Sequence, residues 1–209
     1  FILGCIIIAS LSIFCKKEEE VGLPDPTPEN PLVIDTAKKQ VLISSVLDRT
    51  WCDDSVARHN CVVYRNGSNV FKALFVTYAH HADFYHALYS LGADPGVDIG
   101  PTPDSNAVPT GSLFKLYVRW EGSPKTYDIN ELVVDSLGRG LQVRMHNSFV
   151  RAVETNKGCI YCYTACRTSI TSNPTYTWGE NLKKIRKFEP KKELLPPDGT
   201  HIILIFELQ

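Results

Sequence analysis

Cysteine supplies most of the chemistry in this sequence, and seven are present. Three of them sit in Gly158-Cys159-Ile160-Tyr161-Cys162-Tyr163-Thr164-Ala165-Cys166, a C-x2-C-x3-C run. On a helix, positions 159, 162 and 166 fall at i, i+3 and i+7, which predicts three sulfurs on one face. Three convergent thiolates suit a soft metal ion such as zinc, or an iron–sulfur cluster. A closed zinc site takes four ligands, so this reading borrows one from Cys52, Cys61, His80, His81 or His86. The same sulfurs also admit a disulfide, within the run or to Cys52 or Cys61. A redox-active C-x-x-C is a third reading, although no βαβ pattern of the thioredoxin kind surrounds it. Cys52 and Cys61 lie nine positions apart across a polar loop and are disulfide candidates in their own right. Such a bridge would stabilise by up to about 3 kcal/mol.

Other residue types offer less. His80, His81 and His86 near Asp83 could line a metal or proton-transfer site. Asp53 and Asp54, with Asp48 and His59 nearby, could bind a cation, against the plainer reading of a solvated loop. Ser44, Ser45 and Ser112 lack a G-x-S-x-G elbow, which leaves hydrolase chemistry unsupported. There is no phosphate-binding glycine loop of either common type. No complete catalytic constellation emerges.

The first residues read as an address. The apolar run from Phe1 stops at Cys15, followed by Lys16-Lys17-Glu18-Glu19-Glu20. It is too short to span a bilayer, which needs about 20 apolar residues. It has the length of a signal-peptide core. An apolar run ending at a cysteine resembles a bacterial lipoprotein signal, with Cys15 lipidated, although Phe14 stands where a small residue is usual. Residues 16–30 carry Pro24, Pro26 and Pro28 among charges, which predicts a semi-rigid spacer. The expected organisation is a signal at 1–15, a linker at 16–30 and one domain at 31–209. The expected setting is the bacterial cell envelope, with the membrane as partner through the lipid.

The elements that must position the cysteines are mostly strands. Leu32-Val33-Ile34 and Gln40-Val41-Leu42-Ile43 flank a polar turn. Cys61–Tyr64 leads into Asn66-Gly67, a hairpin signal, and 72–78 continues as a buried strand. Asp83 can cap a helix that Gly92 ends, with Phe84, Ala87, Leu88 and Leu91 on one face. Residues 93–112 form a loop rich in proline and glycine. Phe114, Leu116, Val118 and Trp120 alternate with polar or amphipathic residues as a half-buried strand. A return strand near 126–129 and further strands at 141–145 and 201–206 complete the pattern. The expected fold is α+β but predominantly β, a single compact sheet-rich domain with one or two short helices.

Composition supports that class. Hydrophobic residues make up 44% and charged residues 22%, with 22 Lys+Arg against 23 Asp+Glu. This is ordinary globular usage without the cationic excess that nucleic acid would demand, so no nucleic-acid partner is expected. The segments NGSNVFKALFVTYAHHADFYHALYSLGADPG, GCIYCYTACRTSITSNPTYTWGE and LPPDGTHIILIFEL resemble the YdjY-like family of exported bacterial proteins. That resemblance spans about residues 31–209. It implies a β-rich domain with a ferredoxin-like C-x2-C-x3-C-Pro run, in which Arg167 here replaces the proline. The overall expectation is a non-catalytic binding or accessory module with structural cysteines. The alternative is a metal or iron–sulfur electron-transfer protein using Cys159, Cys162 and Cys166.

Overall fold

A computed structural model of the chain describes residues 23–50, 52, 59–184 and 188–209. Cys15 with its apolar run, Trp51, Asp53 and Asp54 lie outside the described residues. β1 (Leu32–Asp35) and β2 (Gln40–Leu47) form the expected hairpin, with Leu32 opposite Ile43 and Asp35 opposite Gln40. β3 (Asn60–Tyr64) follows, then a single 3-10 turn at Val70–Lys72 and β4 (Phe75–Thr77). The helix α1 (His81–Ser90) precedes the long loop, after which come β5 (Leu113–Arg119), β6 (Tyr127–Asp128), α2 (Ile129–Leu132) and β7 (Val133–Asp135). β8 (Val143–Met145), α3 (Phe149–Thr155), β9 (Cys159–Cys162) and β10 (Thr171–Ser172) carry the chain past the cysteines. α4 (Trp178–Lys183), β11 (Phe188–Pro190) and β12 (His201–Leu208) complete it.

Eight of these strands close on themselves. The order is β2-β12-β5-β8-β10-β9-β3-β4, and β4 pairs again with β2. Closure removes the exposed edges that an open sheet would leave. β1 and β6 lie outside the ring, on β2 and β5, and β7 pairs with β11 in a separate two-stranded ribbon. Two of the ring's pairings are parallel, β3 with β4 and β9 with β10.

Strand periodicity builds the core. Val41 and Ile43 of β2, Phe114, Leu116 and Val118 of β5, and Ile202, Leu204 and Phe206 of β12 join one large buried cluster. Their alternates Leu42, Ile203 and Ile205 pack on the opposite face with Val33 and Tyr117. Every second residue of each strand thus meets the same side, as the pleat requires. α1 docks through Phe84, whose ring centroid lies 4.7 Å from that of Phe206.

Four expectations change. Asn66-Gly67 makes no hairpin, because β4 lies parallel to β3 and must cross to reach β2. The strand expected over 72–78 shortens to β4. α1 begins before Asp83: His80 Nδ1 accepts the Ala82 N–H at 3.2 Å, and Asp83 sits in the first turn, where its charge suits the helix N-terminus. Four short α-helices are present among the described residues, not one or two. α2 and α4 each start on a capping box, Asp128 with Glu131 and Thr177 with Glu180.

Asp25, within the expected linker, and Pro31 just beyond it lie against the barrel. The Asp25 carboxylate pairs with the Arg119 guanidinium, and Ser44 N–H donates to the Pro31 carbonyl at 2.9 Å. Among the described residues, no helix is long and apolar enough to cross a membrane.

Candidate metal centre

The cysteine run is not a helix. Cys159 to Cys162 form β9, and the chain then loops through Cys166 to β10. On a regular strand, residues three apart point to opposite faces. Here the pairing of β9 with β3 is irregular: Asn60 faces Cys162, Val62 faces Tyr161, and Val63 faces Cys159. The register slips twice, leaving Cys61 extra on β3 and Ile160 extra on β9, and the bulge at Ile160 reverses the facing along β9. Cys159 and Cys162 therefore meet, and with Cys166 they form a separate buried cluster.

A fourth donor comes from the neighbouring strand. His59 immediately precedes β3, and its imidazole joins Cys162 and Cys166 with the ligand atoms all within 4.8 Å of one another. Among the described residues this is the one group of three or more His, Cys, Asp or Glu side chains close enough to share an ion. Cys159 touches the other two sulfurs, which brings the donor set to three thiols and one imidazole. For single-ion coordination, zinc–sulfur bonds are about 2.3 Å and zinc–nitrogen bonds about 2.0 Å. Ligand atoms around one ion must therefore crowd together, whereas the cysteines of an iron–sulfur cube each bind a separate iron and stand farther apart. The spacing of His59, Cys162 and Cys166 fits one ion, and Cys159 touches both sulfurs from just outside that 4.8 Å group.

The surrounding groups match that use. Thr164 Oγ1 lies 2.8 Å from His59 Nδ1, and the imidazole also hydrogen-bonds Cys166. Asn69 Nδ2 donates to the Cys159 sulfur at 3.4 Å. Thr168 Oγ1 is 3.6 Å from the Cys166 sulfur, and Asn60 Oδ1 is 3.6 Å from that of Cys162. Backbone bonds hold the run in place: Ile170 N–H to the Cys159 carbonyl at 3.1 Å and Asn173 N–H to the Cys162 carbonyl at 3.0 Å. Arg151 donates to the Arg167 carbonyl at 2.9 Å and pairs with Asp98, fastening the residue after Cys166.

Proximity also separates the three thiols electrically. The Cys159 and Cys162 thiols, and His59 beside them, hold Cys166 well below the usual thiol range. Burial, then the neighbouring thiols, pushes Cys162 well above it. Cys162 lowers the Cys159 thiol, but Cys166 and burial raise it, and it is pushed up to about 12. One sulfur thus ionises readily, while a cation is needed to draw the protons from the others.

The comparisons with known proteins bear on this chain as a whole. A family model described as the YdjY domain matches residues 32–207. The chain belongs to the YdjY family. The Uncharacterized protein YdjY of Escherichia coli (strain K12) is 34% identical over 210 residues, covering 98% of this chain and 92% of that protein. No solved structure matches.

Elsewhere in this YdjY domain the expected site residues have other surroundings. His80 caps α1 and His86 lies 5.0 Å from the Phe149 ring, and neither joins the sulfur group. His81 is buried 4.3 Å from His80, and burial, reinforced by His80, lowers its pKa to about 4. The Cys52–Cys61 bridge is not formed, and the five described cysteines make no disulfide. Burial pushes the Cys61 thiol up to about 12, against a hydrogen bond with Tyr163. Ser44 Oγ lies 2.7 Å from His201 Nε2, but Ser44 is wholly buried in β2, so no substrate reaches the hydroxyl. Sequence reasoning placed His59 beside the acidic loop, and its closeness to Cys162 and Cys166 became visible only through the pairing of β3 with β9.

Proposed function

We propose that this YdjY domain is a metal-binding module that holds one soft divalent ion of the zinc class. His59, Cys159, Cys162 and Cys166 would be its ligands. The observation that carries the reading is the convergence of His59, Cys162 and Cys166 within 4.8 Å, with Cys159 against the same sulfurs. When bound, the ion supplies a fixed positive charge and a covalent-strength tie. Four protein ligands leave no open position, which is the pattern of structural rather than catalytic zinc. The tie joins the start of β3, the bulged β9 and the crossover to β10, so the module's work is binding and shape rather than turnover. The run ending at Cys15 supports an envelope setting with a lipid anchor, where metal ligation would keep three neighbouring thiols from oxidising.

The test is metal analysis of full-length protein purified anaerobically, with Co2+ titration of the stripped form. One zinc-class ion per chain and sulfur-to-cobalt charge-transfer bands are expected. A protein without stoichiometric metal and without those bands would overturn the reading. A brown protein with several irons and inorganic sulfide would overturn the single-ion form of it.

A further inference from the structure

Cys162 is the one sulfur flanked on both sides within the sheet. Asn60 is its direct partner on β3, and Ser172 is its direct partner on β10. Directly paired residues show the same face, with Cβ atoms about 4.5–5.5 Å apart. Both neighbours are buried, and both keep a polar atom without a partner: Nδ2 of Asn60 and Oγ of Ser172. Orphaned donors of this kind are uncommon in folded proteins, and two of them beside one sulfur call for an acceptor. With its proton in place, Cys162 donates to Asn60 Oδ1 at 3.6 Å, engaging the acceptor end of the amide. A metal-bound sulfur has no proton and only accepts. The amide then turns over to donate through Nδ2, and the Ser172 hydroxyl swings toward the same sulfur by rotation about χ1.

We propose that Asn60 and Ser172 are positioning residues for the metal: hydrogen-bond donors built for the metal-bound sulfur of Cys162. This rests on the metal centre proposed above. With it, every sulfur of the site has a donor, since Asn69 serves Cys159 and Thr168 stands beside Cys166. The need is electrostatic. Three thiolates and a neutral imidazole around a divalent ion leave one net negative charge in a buried place, and outer donors spread it.

The test is Co2+ affinity and charge-transfer spectrum in the full chain, for wild type, Ser172→Ala, Asn60→Leu and the control Ser45→Ala. Ser45 also has a buried hydroxyl without a partner, but it sits on β2, paired with Thr77 and Ile202. Ser172→Ala and Asn60→Leu should each weaken Co2+ binding about 10–100-fold, the usual effect of losing an outer-shell partner, and should shift the charge-transfer band. Ser45→Ala should leave both unchanged. Metal-free Ser172→Ala should melt at the wild-type temperature or above, because it loses only an unpartnered hydroxyl. Weaker binding without a weaker apo fold is a combination that a merely structural role does not produce. Wild-type affinity and spectrum in Ser172→Ala overturn the inference even where Asn60→Leu fails to fold. Absence of the band in the wild type overturns the centre itself, and this inference with it.

Discussion

Thr164 holds His59 by Nδ1 at 2.8 Å, across 105 positions of sequence, on the imidazole that sits against Cys162 and Cys166. Outer partners of this kind fix the tautomer and the angle of a metal-binding imidazole. Thr164→Val should therefore lower zinc affinity about 10–100-fold while keeping one ion per chain. His59→Ala, which removes the ligand itself, should lower it further. Competition against a chromophoric chelator measures both, and equal affinity in Thr164→Val and wild type would exclude the orienting role.

Gly158 sets where the cysteine strand begins. It takes φ +75, and an added Cβ would lie 2.7 Å from the Gly67 Cα. A side chain there would meet both a conformational penalty and a backbone clash. Gly158→Ala should destabilise by about 2 kcal/mol or more and loosen metal retention, since Cys159 follows directly. Thermal melts with and without zinc check it. A variant that melts like wild type in both conditions would show that the crossing of Gly67 and Gly158 yields more than the backbone geometry suggests.

Much of this was legible in the chain. The alternation of Phe114, Leu116 and Val118, the hairpin at 32–43 and the final strand appear where period-2 patterning puts them. The cysteine run was legible as chemistry but not as geometry. Four consecutive residues from Cys159 to Cys162 do not distinguish a turn of helix from a bulged strand, and the bulge depends on β3, a distant partner. Closure was hidden for the same reason. No local signal says that β4 returns to β2 or that β9 and β10 run parallel. Asn66-Gly67 carried a true turn signal, but the barrel used that turn to cross rather than to reverse. α2 and α4 were readable from Asp128-x-x-Glu131 and Thr177-x-x-Glu180 but are short enough to escape a periodicity search.

The unbridged Cys61 makes a separate prediction about reactivity. Its thiol is fully buried and pushed up to about 12, so little thiolate exists near neutral pH. Native protein at pH 8 should resist alkylation at Cys61 while unfolded protein reacts fully. In zinc-loaded protein, Cys159, Cys162 and Cys166 should resist as well, and chelation should expose Cys166 first, since its sulfur ionises most readily. Peptide mass spectrometry after timed alkylation reads each site. A Cys52–Cys61 disulfide recovered from native protein would reverse this prediction.

Acid stability tests the interior from another direction. His146 is wholly buried, neither ring nitrogen has a hydrogen-bond partner, and its pKa is lowered to about 4. Burial is the main cause; Cys166 and Asp98 pull the value up and Arg151 pulls it down. His81 is lowered to about 4 as well, by burial and then by His80, with Ala152 and Asp83 acting in the opposite sense. Both groups titrate near 6.5 when unfolded, so below that value the unfolded chain binds more protons than the fold. Their stabilisation is complete above pH 6.5 and is lost as pH falls toward 4. At about 1.4 kcal/mol per unit, His146 alone accounts for about 3 kcal/mol over the full window. Asp98, lowered chiefly by the Arg151 hydrogen bond, acts in the same sense but below the ordinary carboxylate range. Cys166, held below the usual thiol range, acts in the same sense in metal-free protein, so urea unfolding at pH 7.5, 6.0 and 5.0 is read for wild type against His146→Leu. Stability should fall steadily across the three, and His146→Leu should flatten the slope. An equal midpoint at pH 7.5 and 5.0 would mean that His146 is protonated inside the fold, with a partner for its charge.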